Sequence, residues 1–162
     1  MFTYLYHSNI CDFAPVEENG SIIAIDLKPD KLKKDAVIKE TRLIREASRQ
    51  IFEYFDQNRV KFDLPIDFCG TEFQEKVWRE LMNIPYGQTR SYGDIAKNIG
   101  SPKAARAVGM ANNKNPLPII IPCHRVIGAN GKLVGYAPGL DIKEKLLNIE
   151  KSFGKDTGNI IQ

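Results

Sequence analysis

Histidine is nearly missing from this sequence. His7 and His124 are the only two, and neither H-x-x-x-H nor C-x-x-C spacing occurs. A structural zinc site needs about four nitrogen or sulfur ligands, so no metal is expected. Cysteine is almost as sparse: Cys11, Cys69 and Cys123 are odd in number and far apart, the wrong pattern for a secreted disulfide framework. No apolar run approaches the ~20 residues that span a bilayer. The longest dense one, Leu117–Cys123, has seven residues with two prolines among them. The opening, Met1 to Asn9, lacks the basic and apolar regions of a secretory signal, so a cytoplasmic chain is expected. Apolar residues are not depleted (43%) and charge is not excessive (27%), which excludes extensive disorder. The 162 residues suffice for one medium domain or two small ones, with a core that needs no disulfides.

What is present is unevenly placed. Between Tyr86 and Lys132 stand seven basic residues, Arg90, Lys97, Lys103, Arg106, Lys114, Arg125 and Lys132, against the single acid Asp94. That stretch carries +6 within a chain of net charge +3, so the remainder is acidic. Such asymmetry marks a polyanion-binding surface or a solvated basic face.

Local patterns divide the chain. After the turn signal Asn19-Gly20, Ser21–Leu27 is expected to form a strand. Ile38 to Phe55 carries apolar residues at helical spacing. A looser stretch from Asp56 to Gly70 separates this α/β unit, residues 1–66, from a second unit, 67–151. The second opens with Thr71-Glu-Phe-Gln74, in which the Thr hydroxyl and the Gln side chain each satisfy a free backbone amide. Ser91–Gly100 predicts a short helix, and Ser101-Pro102 predicts the cap of another that continues through Asn112. Two short helices joined across a glycine make a helix-turn-helix pattern. Asp141-Ile-Lys-Glu144 predicts the start of a last helix, and residues 152–162 a polar tail.

The most informative run is Asn115-Pro-Leu-Pro-Ile-Ile-Ile-Pro-Cys-His-Arg-Val126. Its three prolines forbid a regular helix, and its three isoleucines favour burial. The chain therefore delivers Cys123 at the end of a rigid segment, with His124 and Arg125 directly after it. Only a thiolate is strongly nucleophilic, and a free thiol has a pKa of about 8.5. An imidazole can take its proton, directly or through water, and a carboxylate can hold the imidazole's tautomer. Adjacent Cys and His side chains diverge, so the dipeptide alone also fits a structural cysteine.

The wider constellation narrows the choice. Gly87-Gln-Thr-Arg-Ser-Tyr-Gly-Asp-Ile-Ala96, Lys103-Ala-Ala-Arg-Ala-Val-Gly109, Asn115 through Val126, and Gly135-Tyr to Gly139-Leu follow one another in the order and spacing of a known family. This chain closely resembles the O6-alkylguanine-DNA alkyltransferases from about Thr71 to Glu150, roughly half its length. Pro-Cys-His-Arg-Val is the most specific element of the resemblance. The first unit matches only in size and α/β character.

The resemblance implies a small ribonuclease-H-like α/β domain, followed by a mostly helical domain with a winged-helix-like helix-turn-helix. It implies repair of O6-alkylguanine, and of O4-alkylthymine, in double-stranded DNA by irreversible transfer to Cys123, without a cofactor; a monomer is the default expectation. His124 would be the base acting through water, Glu150 the carboxylate behind it, and Asn115 a brace of the turn. Tyr92 would protonate the leaving guanine, and Arg106 would enter the stack in place of the flipped base. The pocket would be lined by Tyr92, Cys123, Val126 and the loop Tyr136, Ala137, Pro138 and Gly139. The DNA-facing set would comprise Arg106, Ala105, Lys103, Arg90, Ser91, Lys114 and Arg125. Small residues at 104, 105, 107 and 109 suit a close approach to the narrow minor groove. Pro138 departs from the family pattern: it stiffens the loop and removes one N–H, while Ala137 keeps its own. A lesion-binding module without transfer and a Cys–His hydrolase are the competing classes. The presence of Cys123 opposes the first, and the lack of a suitable distant histidine opposes the second.

Overall fold

The computed structural model describes the backbone of residues 1–161 and the side chains of residues 1–152. Mixed α/β in class, the chain has small sheets and five α-helices among the described residues. It divides into two compact units, Met1–Cys69 with Pro116–Ile120, and Gly70–Asn115 with the chain from Ile121 onward. Among the described residues no helix is long and apolar enough to cross a membrane.

The first unit is a four-stranded sheet with one helix packed on it. Strands β1 (Phe2–Thr3), β2 (Phe13–Glu18), β3 (Ser21–Leu27) and β4 (Val37–Ile38) lie in the order β3-β2-β1-β4. β2 and β3 form an antiparallel hairpin over Asn19-Gly20, from Phe13↔Leu27 to Glu18↔Ser21, with a register shift between Val16 and Glu17. β3 coincides with the expected strand. The expected helix starts later than its apolar pattern. Val37 and Ile38 pair in parallel with β1, and α1 (Arg42–Phe55) begins only where Thr41 accepts the Ile44 N–H at 3.1 Å. Ile44, Ala47, Ile51 and Tyr54 recur at three- and four-residue spacing and are fully buried. Phe13, also fully buried, stacks on Tyr6 (5.4 Å between centroids) and meets Phe52 edge-on (5.3 Å).

Residues 116–120 belong to this unit although they lie inside the stretch assigned to the second. The N–H of Ile25 donates to Pro116 O at 2.9 Å, fastening the segment beside β3. Within it, Ile119 takes φ +76°, a conformation that a β-branched residue adopts only when its surroundings impose it.

The second unit is built mainly of helices. α2 (Glu72–Leu81) carries the expected reciprocal cap of Thr71 and Gln74, and its Trp78 Nε1 donates to Ala111 O at 2.9 Å. α3 (Tyr92–Asn98) is capped by Ser91, again reciprocally with Asp94. α4 (Ala105–Asn113) starts later than Ser101-Pro102 implied. The Ala104 N–H donates to Ser101 O at 2.9 Å, closing a separate turn, and Ala104 leaves the helical region at φ −97°, ψ 22°. β5 (Arg90–Ser91) and β6 (Val126–Ile127) pair in parallel, with Arg90 opposite Val126 and Ser91 opposite Ile127. α5 (Leu140–Ile161) begins one residue before Asp141, which therefore sits inside the first turn rather than capping it. Its backbone continues through residues 152–161, where the sequence suggested a tail, and the side chains there lie outside the described set.

Candidate active site

The Pro122 turn feeds a single turn of 3-10 helix, Cys123–Arg125, and β6 follows at once. Because β6 pairs with β5, the residues after Cys123 are tied to the strand that enters Tyr92. The turn is braced from the end of α4 and just beyond. Asn115 Nδ2 donates to Ile121 O at 2.8 Å, and Asn112 Nδ2 to Cys123 O at 3.3 Å. The Cys123 side chain is buried, with the residue only 3% exposed. Burial pushes its thiol pKa up, while hydrogen bonds from the Asn115 and Tyr136 side chains and the charge of Lys143 pull it back. At rest the group is therefore a protonated thiol.

His124, fully buried, places Nε2 2.6 Å from Glu150 Oε2. Burial lowers the imidazole's pKa against the pull of Glu150, which keeps the ring neutral and able to accept a proton. Glu150 arrives from α5 and is itself 2% exposed. Arg125 Nε donates to Glu150 Oε1 at 2.9 Å, Arg125 Nη2 to Oε2 at 3.1 Å, and the Gly87 N–H to Oε1 at 3.0 Å. Burial alone would raise this carboxyl, but His124 and Arg125 hold it at about 2. Arg125 Nη1 also donates to Ile84 O at 2.7 Å, and its guanidinium stacks 5.5 Å from the Tyr86 ring centre.

Tyr92, the first residue of α3, is half-buried and donates its hydroxyl to Val134 O at 3.1 Å. Burial, then the nearby Cys123, raises its pKa, so the phenol keeps its proton at neutral pH. Gly109 packs close by: a Cβ there would come within 3.8 Å of the Tyr92 ring. The Tyr136–Gly139 loop closes through a Gly139 N–H bond to Tyr136 O at 3.0 Å, and it buries Tyr136 while exposing Ala137. Val126 is buried, and its carbonyl accepts from Lys143 Nζ at 2.6 Å. Among the described residues no group of three or more His, Cys, Asp or Glu side chains is placed to hold a metal ion.

Comparison with known proteins agrees with this geometry. Residues 72–152 match the family model described as 6-O-methylguanine DNA methyltransferase, DNA binding domain. A methylated-DNA–protein-cysteine methyltransferase of Methanosarcina acetivorans is 61% identical over 118 residues, 73% of this chain and 76% of that protein. The chain belongs to the 6-O-methylguanine DNA methyltransferase family. The crystal structure of the Mycobacterium tuberculosis O6-methylguanine methyltransferase superposes with a TM-score of 0.89 at 38% identity, covering 99% of both chains. The OGT of the same organism in complex with DNA gives 0.88 at 40% identity, over 94% of each chain.

Within this methyltransferase the expected DNA-facing residues separate into two groups. Lys103, Arg106 and Lys114 are exposed on or beside α4, and Ala105 is half-buried at its start. Arg90 is half-buried and bonds Gln88 Oε1 at 3.0 Å, while Ser91 Oγ accepts the Asp94 N–H as the cap of α3. Arg125 does not belong with them. It is 7% exposed, with its guanidinium committed to Glu150 and Ile84, because a buried carboxylate needs a permanent internal cation.

Two contributors escaped the sequence reading. Lys143 is fully buried on α5, seven residues before Glu150 and so on the same helical face. Its Nζ donates to Val126 O and, at 3.1 Å, to Val134 O, and lies 5.8 Å from the Tyr136 ring centre. Burial lowers its pKa, partly offset by Cys123. The other is Asn112. A lysine in an amphipathic helix and an asparagine near a helix end both read as solvent-facing, and no local signal marked either.

Proposed function

We propose that this methyltransferase takes a methyl or larger alkyl group from the O6 position of guanine in DNA onto Sγ of Cys123, once per molecule. The observation that carries the reading is the 2.6 Å contact of His124 Nε2 with Glu150, on the residue next in sequence to the buried Cys123. With Nε2 engaged, Nδ1 on the opposite edge of the ring is the position that exchanges a proton with the thiol through water. As the thiolate attacks, the Sγ–carbon bond forms and the O6–carbon bond breaks. Its electron pair goes to guanine, which takes a proton from Tyr92. Tyr92 recovers a proton from the His124 imidazolium through solvent, so over the whole reaction the thiol proton is accounted for on guanine and the thioether remains. Alkyl transfer from O4 of thymine follows the same balance.

Arg125 is a positioning residue in this scheme, keeping Glu150 ionised as His124 becomes imidazolium. Asn115 braces the turn, and Val126 with the Tyr136–Gly139 loop receives the base. Reaching Cys123 requires extruding the nucleotide at a cost of a few kcal/mol, which Arg106 offsets by filling the vacated stack. α3 and α4 then act as the helix-turn-helix of a winged-helix-like domain. α4 is set against the minor groove, with Lys103, Lys114, Arg90 and Ser91 beside the backbone. The first unit is read as ribonuclease-H-like, and the protein as a cytoplasmic monomer.

The deciding experiment is mass spectrometry of the protein after mixing with duplex DNA that carries O6-methylguanine. One added methyl on the Cys123 peptide is expected. Lesion binding without that mass, or turnover of an ester, would establish a competing class instead.

A further inference from the structure

Arg106, Met110 and Asn113 are four and three residues apart and exposed, whereas Val108, Ala111 and Asn112 on the opposite side are buried. α4 therefore presents one continuous outer face, and Met110 stands in its middle. Met110 is 66% exposed, and no acidic residue occurs anywhere in α4. The exposed cations Arg106 and Lys114 stand four residues before and after it, about one helical turn on either side. Single exposed apolar residues are ordinary on a protein surface. One large apolar side chain with a cation a turn away on either side, on the helix of a basic stretch, fits a narrower purpose. Phosphates satisfy Lys114, and base edges or base faces satisfy Met110.

We infer that Met110 is an apolar wedge of this enzyme, packing into the minor groove of duplex DNA beside Arg106 and loosening the stack next to the extruded nucleotide. The inference rests on the reading above that α4 is the DNA-facing helix. Four residues of helix advance about 6 Å, and the middle of the first intact base step lies about 5 Å from the vacated position, at one and a half rises of roughly 3.4 Å. Met110 thus reaches the neighbouring step while Arg106 occupies the vacated one. Apolar side chains that part base steps are a recurrent device in minor-groove binding, and methionine's unbranched, flexible chain adapts to any local sequence.

The test compares repair of O6-methylguanine in a duplex with dealkylation of the free base, in the wild type and in Met110→Ala, Met110→Leu, Arg106→Ala and Lys103→Ala. The duplex-to-free-base rate ratio should fall roughly three- to tenfold in Met110→Ala and be restored in Met110→Leu. A 2-aminopurine beside the lesion should brighten less on binding Met110→Ala than on binding wild type. The salt dependence of affinity should be identical in the two, since no charge is lost. If Arg106→Ala and Lys103→Ala weaken duplex binding while Met110→Ala leaves ratio and fluorescence untouched, the wedge is overturned and the α4 reading stands. If none of the substitutions affects the duplex, the α4 reading itself fails and the wedge with it. Equal circular dichroism melts of Met110→Ala and wild type, expected for so exposed a side chain, keep the comparison free of folding effects.

Discussion

Lys143 and Tyr92 donate to the same carbonyl oxygen: Val134 O lies 3.1 Å from Lys143 Nζ and 3.1 Å from Tyr92 Oη. The stretch from Gly128 to Gly139 has four glycines and, among the described residues, no regular element. Lys143 therefore pins this stretch at Val134 and pins the Cys123 turn at Val126 O with the same ammonium group. A buried cation so placed couples the position of the Tyr92 hydroxyl to that of the Cys123 turn.

Lys143→Met should destabilise the protein by about 1–3 kcal/mol, because it leaves buried carbonyls without their donor. Combined with Tyr92→Phe in denaturant melts, it should show a coupling of at least about 0.5 kcal/mol, as expected for groups that share a partner. Strict additivity would show that the shared carbonyl transmits nothing.

Arg125→Leu should destabilise by roughly 3–5 kcal/mol, since it strands a buried carboxylate. Its effect on DNA should be the reverse of that of a phosphate contact: the slope of log affinity against log salt should not change. Lys114→Ala, which removes a proposed backbone contact, should lower that slope by about one unit. An equal drop with Arg125→Leu would place Arg125 on the DNA-facing side.

Acid stability should report on Glu150. Its carboxyl is held at about 2 in the folded chain, against about 4.3 when unfolded. As pH falls, the unfolded chain takes up that proton first. The stabilisation is fully present above pH ~4.3 and is lost as pH drops toward ~2. Urea midpoints at pH 5, 4 and 3 should therefore converge between wild type and Glu150→Gln as the pH falls. Parallel midpoints would show that this carboxylate contributes no such linkage.

Cys123→Ser should bind methylated duplex as the wild type does and acquire no methyl group, because a hydroxyl has a far higher pKa than a thiol. Mass spectrometry and a gel-shift titration on the same sample read both halves. Methyl transfer by this variant would end the acceptor assignment.

Tyr92→Phe should slow repair of duplex and of free O6-methylguanine alike, since it removes the proton donor. Arg106→Ala should slow duplex repair by the equivalent of about 1–3 kcal/mol, judged from the cost of unstacking a base, and barely affect the free base. Equal slowing of both substrates by Arg106→Ala would return Arg106 to the pocket or the fold.

Arg106 and Arg125 divide what sequence determines from what structure decides. Both sit in one basic stretch, and sequence alone expected both to face DNA. Local chemistry did settle much else. Asn19-Gly20 and the apolar run after it specified β3, Thr71 and Gln74 specified the start of α2, and Pro122-Cys123-His124 marked the candidate site. Each of these depends on residues within a few positions of one another, where turn geometry and capping bonds act. The direction of a charge depends on what distant chain brings to it. Glu150 reaches Arg125 across 25 residues, and Ile84 O reaches it across 41. The same holds for Lys143, buried only because Val126 and Val134 offer it carbonyls, and for residues 116–120, drawn into the first unit by the bond to Ile25. Burying a polar group is tolerable only when a partner waits inside, and tertiary packing alone supplies that partner.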